Sequence, residues 1–139
     1  MVLRRLAVLV AASLVTAGCG GNAGKPVSRA TVPKPAIRVE LSAQSHHPRV
    51  GKRWSYEVRV TDAAGRPVPA TVHLQILFGG VSVGQVGRHR VANGVWRETL
   101  GAPGNPPFPA RARGQPLVFQ AVVTAKGQTR KANWWIRVR

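Results

Sequence analysis

Residues 53–61 read Arg53-Trp54-Ser55-Tyr56-Glu57-Val58-Arg59-Val60-Thr61, and the alternation along them decides the fold. Trp54, Tyr56, Val58 and Val60 fall on one side, with Arg53, Ser55, Glu57, Arg59 and Thr61 on the other. Successive side chains of a strand point to opposite faces, so a period of two marks a strand with one face in a core. The pattern recurs on both sides of this stretch. Ile37, Val39 and Leu41 alternate with Arg38, Glu40 and Ser42. Val72, Leu74, Ile76 and Phe78 share one face of 71–78, and Gly79-Gly80 then signals a turn. A weaker strand is expected over 81–86, with a bulge at Gly84. Residues 88–92 and 95–100 flank Asn93-Gly94, the preferred pair of a type I′ hairpin, and are expected to pair with each other. After a Pro- and Gly-rich loop, 101–115, two strands at 117–125 and 130–138 form a closing hairpin. Leu117, Phe119, Ala121 and Val123 face inward there, with Ala132, Trp134, Ile136 and Val138.

No apolar stretch at helical spacing interrupts this series. Seven or eight short strands over about a hundred residues predict an all-β fold, an antiparallel two-sheet sandwich. Three stretches carry a resemblance. They are Pro48-Arg49-Val50-Gly51 ahead of the aromatic-rich strand, Asp62-Ala63-Ala64-Gly65-Arg66-Pro67-Val68 between two strands, and Trp134-Trp135-Ile136-Arg137-Val138 in the last strand. With these, residues 36–139 resemble a bacterial immunoglobulin-like domain of the invasin and transthyretin-like style. The resemblance implies an immunoglobulin-like sandwich of about seven strands and no particular activity. The Cys-Trp-Cys pattern of antibody domains is absent, so packing must stabilise the sheets, with Trp54 and Trp134 the expected large fillers.

The chain has 139 residues, 21 Lys and Arg against 4 Asp and Glu, a formal net charge of +17, and one cysteine. A single cysteine excludes an internal disulfide and any multi-thiolate zinc or iron–sulfur site. A hydrophobic fraction of 44% is too high for a disordered polybasic tail. The position of the cysteine gives it a different meaning. Arg4 and Arg5 precede an apolar stretch, Leu6 to Val15, too short to span a bilayer, and small residues follow, which is the order of a secretory signal. Thr16-Ala17-Gly18-Cys19 resembles the lipobox of bacterial lipoproteins, which implies cleavage after residue 18 and acylation of Cys19. The expected organisation is then a signal peptide at 1–18, lipidated Cys19 with a tether to residue 35, and the sandwich at 36–139. The tether, residues 20–35, is rich in Gly and Pro and would reach about 50 Å when extended and nearer 20 to 25 Å as a flexible coil. Lipidation implies export and a membrane anchor, with the domain outside the cytoplasm. Loss of Arg4 and Arg5 with the signal leaves 19 basic and 4 acidic residues, or +15.

Chemistry is sparse. Of the acids, Glu40 and Glu57 fall on outward strand faces, Asp62 opens a turn, and Glu98 completes the set. No carboxylate pair is spaced as a glycosidase requires, and no serine sits in a Gly-x-Ser-x-Gly elbow. No catalytic residue, cofactor or enzymatic activity is expected. The adjacent His46 and His47, with His73 or His89, offer an alternative as copper or zinc ligands, although no acid or thiol lies beside them in sequence. The cations carry no stacking motif of a nucleic-acid module, and export argues against such a partner.

One surface remains. If the third strand shares a sheet with the last two, its outer face joins Leu77, Val118, Val122 and Trp135 to the cations Lys131 and Arg137. This is a candidate partner patch unless loop 101–115 covers Trp135. The leading expectation is a non-catalytic, lipid-anchored cell-envelope protein. It would display a cationic immunoglobulin-like domain to an envelope protein, an anionic wall polymer or lipid headgroups. A metal-handling envelope lipoprotein and a purely structural accessory domain of an envelope complex are the alternatives.

Overall fold

The structure is a computed structural model in which residues 37–139 are described; the signal segment, Cys19 and the tether lie outside the described residues. Seven strands follow in order: β1 (Ile37–Ala43), β2 (Trp54–Asp62), β3 (Ala70–Phe78), β4 (Val81–Val91), β5 (Val95–Leu100), β6 (Pro116–Ala125) and β7 (Gln128–Arg137). They form two antiparallel sheets, β1-β2-β5 and β4-β3-β6-β7. This is an immunoglobulin-like sandwich in which the fourth strand stands beside the third, unlike the constant-type arrangement, where it joins the sheet of the first, second and fifth. Among the described residues the only helical element is a single 3-10 turn, Ala110–Ala112.

The alternation of β2 is realised in full, with Trp54, Tyr56, Val58 and Val60 buried. Facing them from the other sheet are Val72, Leu74, Phe119, Ala121 and Val123, each fully buried. Trp54, Tyr56 and Phe119 lean on one another at ring separations of 4.7 to 6.0 Å, edge-on or tilted, the arrangement that ring quadrupoles favour. Trp134 is not the second large filler. It lies half-buried on the edge strand β7, and Phe108 from loop 101–115 takes that role at 2% exposure, meeting Trp54 edge-on at 5.5 Å.

Two pairing expectations are corrected. Residues 81–86 and 88–92 are one strand, β4, which absorbs two register shifts against β3, one of them beside Gly84. The hairpin across Asn93-Gly94 does not form, because β4 pairs with β3 and β5 pairs with β2. The turn carries the chain between sheets. Gly94 has φ of +66°, and its carbonyl accepts the Val60 N–H at 2.6 Å. A Cβ there would lie 2.5 Å from the Val60 carbonyl oxygen, so the turn is held by close approach to β2.

The strand registers define two poles. Ile37 lies opposite Asp62, and the turn after Asp62 leads to the start of β3, so the chain enters the sandwich at this near pole. The far pole gathers residues 44–53, the Gly79-Gly80 turn, loop 101–115 and the carboxy-terminal residues that follow β7.

Candidate functional site

The outer face of the four-stranded sheet is built as the alternation requires. Leu77, Val118 and Trp135 form one row across β3, β6 and β7, and His73, Val122 and Lys131 form another. Arg137 follows Trp135 on the same face, opposite Pro116. All six patch residues therefore share the face. Leu77, Val118 and Val122 are half-buried, while Lys131 and Arg137 are exposed and Trp135 is 55% exposed.

Between the two rows runs a chain of amides. Gln75 Nε2 donates to Gln120 Oε1, and Gln120 Nε2 donates to Asn133 Oδ1, each at 2.8 Å. Gln120 is only 6% exposed, so this ladder satisfies an amide that would otherwise be costly to bury. It separates Val122 from the Leu77–Val118–Trp135 row, leaving one apolar row and an isolated valine where the sequence suggests one patch.

His46, from the loop after β1, covers part of Trp135. Its ring stacks on Trp134 at 4.1 Å and on Trp135 at 4.0 Å, within 10° of parallel in both cases. His47 meets Trp135 edge-on at 5.7 Å. Backbone bonds hold the loop against the edge of β7. The Arg137 N–H donates to the His46 carbonyl and the Arg139 N–H to the Pro48 carbonyl, both at 2.8 Å. His46 Nδ1 lies 2.7 Å from the Trp135 carbonyl oxygen. A carbonyl only accepts, so Nδ1 carries the proton and a neutral His46 keeps its lone pair on Nε2. The sequence signal for this cluster was adjacency alone, His46-His47 and Trp134-Trp135 lying 89 residues apart.

The other histidines go elsewhere. His73 bonds to the Gln85 amide on the outer face, while His89 turns inward and stacks on Trp96 at 3.9 Å. Among the described residues no three of His, Cys, Asp and Glu converge in a way that could hold a metal ion.

All four acidic residues belong to the three-stranded sheet: Glu40 to β1, Glu57 and Asp62 to β2, and Glu98 to β5. Glu40 lies opposite Arg59. Hydrogen bonds from Arg97 and then Arg59 hold the Glu57 carboxyl below its usual range. Asp62 accepts the backbone N–H groups of Arg66 and Ala64 at 3.0 and 2.9 Å, and Arg66 Nε at 2.8 Å. These bonds, led by the Arg66 amide, hold its carboxyl low as well. Glu98 points inward with Trp96 and Leu100, a placement the period of two in β5 already implies. It accepts the Tyr56 hydroxyl and lies 3.6 Å from His89 Nε2. Burial, reinforced by Glu98, pushes the Tyr56 hydroxyl well above its ordinary value.

The outer face of the four-stranded sheet thus has no acid. It carries Arg88 and Arg90 on β4 and Lys131 and Arg137 on β7, all exposed. The opposite face of the sandwich bears a shallow groove of about 750 Å³, bordered by Ser42, Ser55, Glu57, Arg97, Thr99 and Asn105. Ser55 Oγ and Thr99 Oγ1 are 2.8 Å apart there, and no histidine lines the groove to act as a base.

No protein-family model matches the sequence, and no curated protein matches it. Solved structures do resemble the fold. A DUF4785 family protein from Legionella pneumophila superposes with a TM-score of 0.54 at 13% identity, over 75% of this chain and 29% of that one. The CARDB domain of a Pyrococcus furiosus protein, solved in complex with di-metal ions, gives 0.48 at 17% identity, over 83% and 97% of the two chains. The PmoD soluble domain from a Methylocystis species gives 0.43 at 13% identity, over 74% and 90%. The chain spans less than a third of the Legionella protein, and at this identity the likeness concerns the fold alone.

Proposed function

We propose that the chain is a non-catalytic, lipid-anchored protein of the bacterial cell envelope that presents the outer face of its four-stranded sheet to an anionic partner. Cys19 is the lipidation site, and residues 20–35 tether the domain. The observation that carries this reading is the segregation of charge: all four acids lie in one sheet and the other sheet has none. Cations without intervening acids set up a positive potential over the face, and such a potential attracts polyanions to an extent that salt diminishes. The exposed Trp135 beside Arg137 adds an amphipathic contact of the kind enriched in interfaces.

The test uses the full chain and isolated bacterial envelopes. Binding should be strong at low salt and should weaken as salt rises. The double variant Trp135→Ala, Arg137→Ala should lose most of the low-salt component, and undiminished binding would refute the patch. In cells, Cys19→Ser should move the protein out of the membrane fraction; retention there would refute the anchor.

A further inference from the structure

The far pole carries a second kind of surface. At the end of the β3–β4 hairpin Phe78 is 46% exposed, Val81 67% and Val83 58%. The strand pattern places Phe78 in the core, yet it lies at the tip beyond it. Gly79 and Gly80 both have positive φ, +56° and +83°, which makes the connection a two-residue turn, and nothing approaches within 4 Å of where their Cβ atoms would stand. The tip is therefore narrow and uncovered. Trp135, on the row next to the same end of β3, is the fourth large apolar residue exposed among those described.

Cations share this pole. Arg49 and Lys52 lie in the loop before β2, Arg111 and Arg113 in loop 101–115, and Arg137 and Arg139 at the end of β7, all exposed. None of the segments that make up the pole, 44–53, 77–83, 101–118 and 133–139, contains an Asp or Glu.

From this arrangement we infer that the far pole docks on a bilayer containing anionic lipid, with Phe78, Val81 and Val83 entering the acyl region and Trp135 at the headgroup level. The inference rests on the anionic-partner reading above and names the partner for this pole. A hydrophilic wall polymer accounts for the arginines but gives no return on aliphatic side chains held in water. A bilayer accounts for both, because apolar groups enter its interior, indoles settle at its interface and basic residues meet its phosphates. The geometry permits it. Strands of nine to eleven residues in this sheet span about 30 to 36 Å, and sixteen residues, 20–35, would reach about 50 Å if extended, enough to let a pole opposite the entry point return to the anchoring membrane.

The experiment uses the full chain with Cys19→Ser, mixed with vesicles of phosphatidylglycerol and phosphatidylcholine whose acyl chains carry bromine. Tryptophan quenching is read per bound chain, so that attachment through the amino-terminal segment does not count. Trp135→Phe identifies the share of the signal due to Trp135. The expected result is quenching of Trp135 with phosphatidylglycerol present, its loss with phosphatidylcholine alone, and its loss in the variant Phe78→Ser, Val81→Ser. These two positions are exposed, and an unchanged thermal midpoint for the variant shows that its fold is intact. Binding without Trp135 quenching, or quenching that survives both serine substitutions, would overturn the inference while leaving the cationic-face reading standing. Salt-insensitive envelope binding in the earlier test would remove that reading itself.

Discussion

Gly94 shows how much one residue decides. The Asn-Gly pair it belongs to is a strong hairpin signal, yet the turn is used to leave one sheet for the other, because the space beside it is filled by the Val60 carbonyl and the Val68 N–H. An alanine at 94 must adopt a left-handed conformation and also displace β2. Gly94→Ala should lower the unfolding free energy by roughly 3 kcal/mol. Gly104→Ala separates the two causes. Gly104 has φ of +85° but nothing within 4 Å, so conformational strain alone applies and about 1 kcal/mol is expected. Urea unfolding of the two variants checks the pair, and equal losses would show that the contact with β2 contributes nothing.

At the scale of elements, the loop between β5 and β6 is the instructive one. Its composition reads as solvent-exposed connection, but Phe108 leaves it to fill the core against Trp54, and the Phe108 carbonyl accepts the Gly51 N–H. Phe108→Ala should cost about 3–5 kcal/mol, as for a buried phenylalanine in a strand, whereas Phe108→Leu should cost less than about 1.5 kcal/mol. Denaturant titration of both variants measures the difference; a loss below about 1 kcal/mol for the alanine would mean that the loop is not part of the core. The contrast with β2 explains what was legible beforehand. Period two reports which side of a strand is apolar, so the inward residues of β2 and β6 are legible directly, whereas the outer face shared by β3, β6 and β7 follows only from the immunoglobulin-like resemblance. It does not report which sheet a strand joins, so the Asn93-Gly94 signal predicts a pairing of β4 with β5 that the fold does not make. An isolated phenylalanine among prolines has no period at all. His46 was visible only as a possible ligand, because stacking between two indoles depends on a loop meeting a strand far away in sequence.

For the molecule as a whole, three of the four acids are engaged, Glu57, Asp62 and Glu98. Glu57 and Asp62 both have carboxyls held below their ordinary range by Arg97, Arg59 and the Arg66 segment. A carboxylate with a lowered folded pKa stabilises the fold fully above its unfolded value, about 4, and the contribution disappears as pH falls through the folded value. The urea midpoint should therefore be level near neutrality and decline in acid, where the repulsion among the cations also grows. Asp62→Asn should flatten the acid limb; an unchanged slope would show that its hydrogen bonds do not favour the ionised form. Another property of the whole molecule follows from the loop seated on β7. An edge strand offers unpaired backbone groups to any neighbour, another copy of the chain included. Here the His46 and Pro48 carbonyls occupy the Arg137 and Arg139 N–H groups, and the exposed Arg130 and Lys131 place charge farther along the strand. The chain thus caps one end of β7 with its own loop, so that at this one of the four sheet edges a second copy finds these two donors already taken.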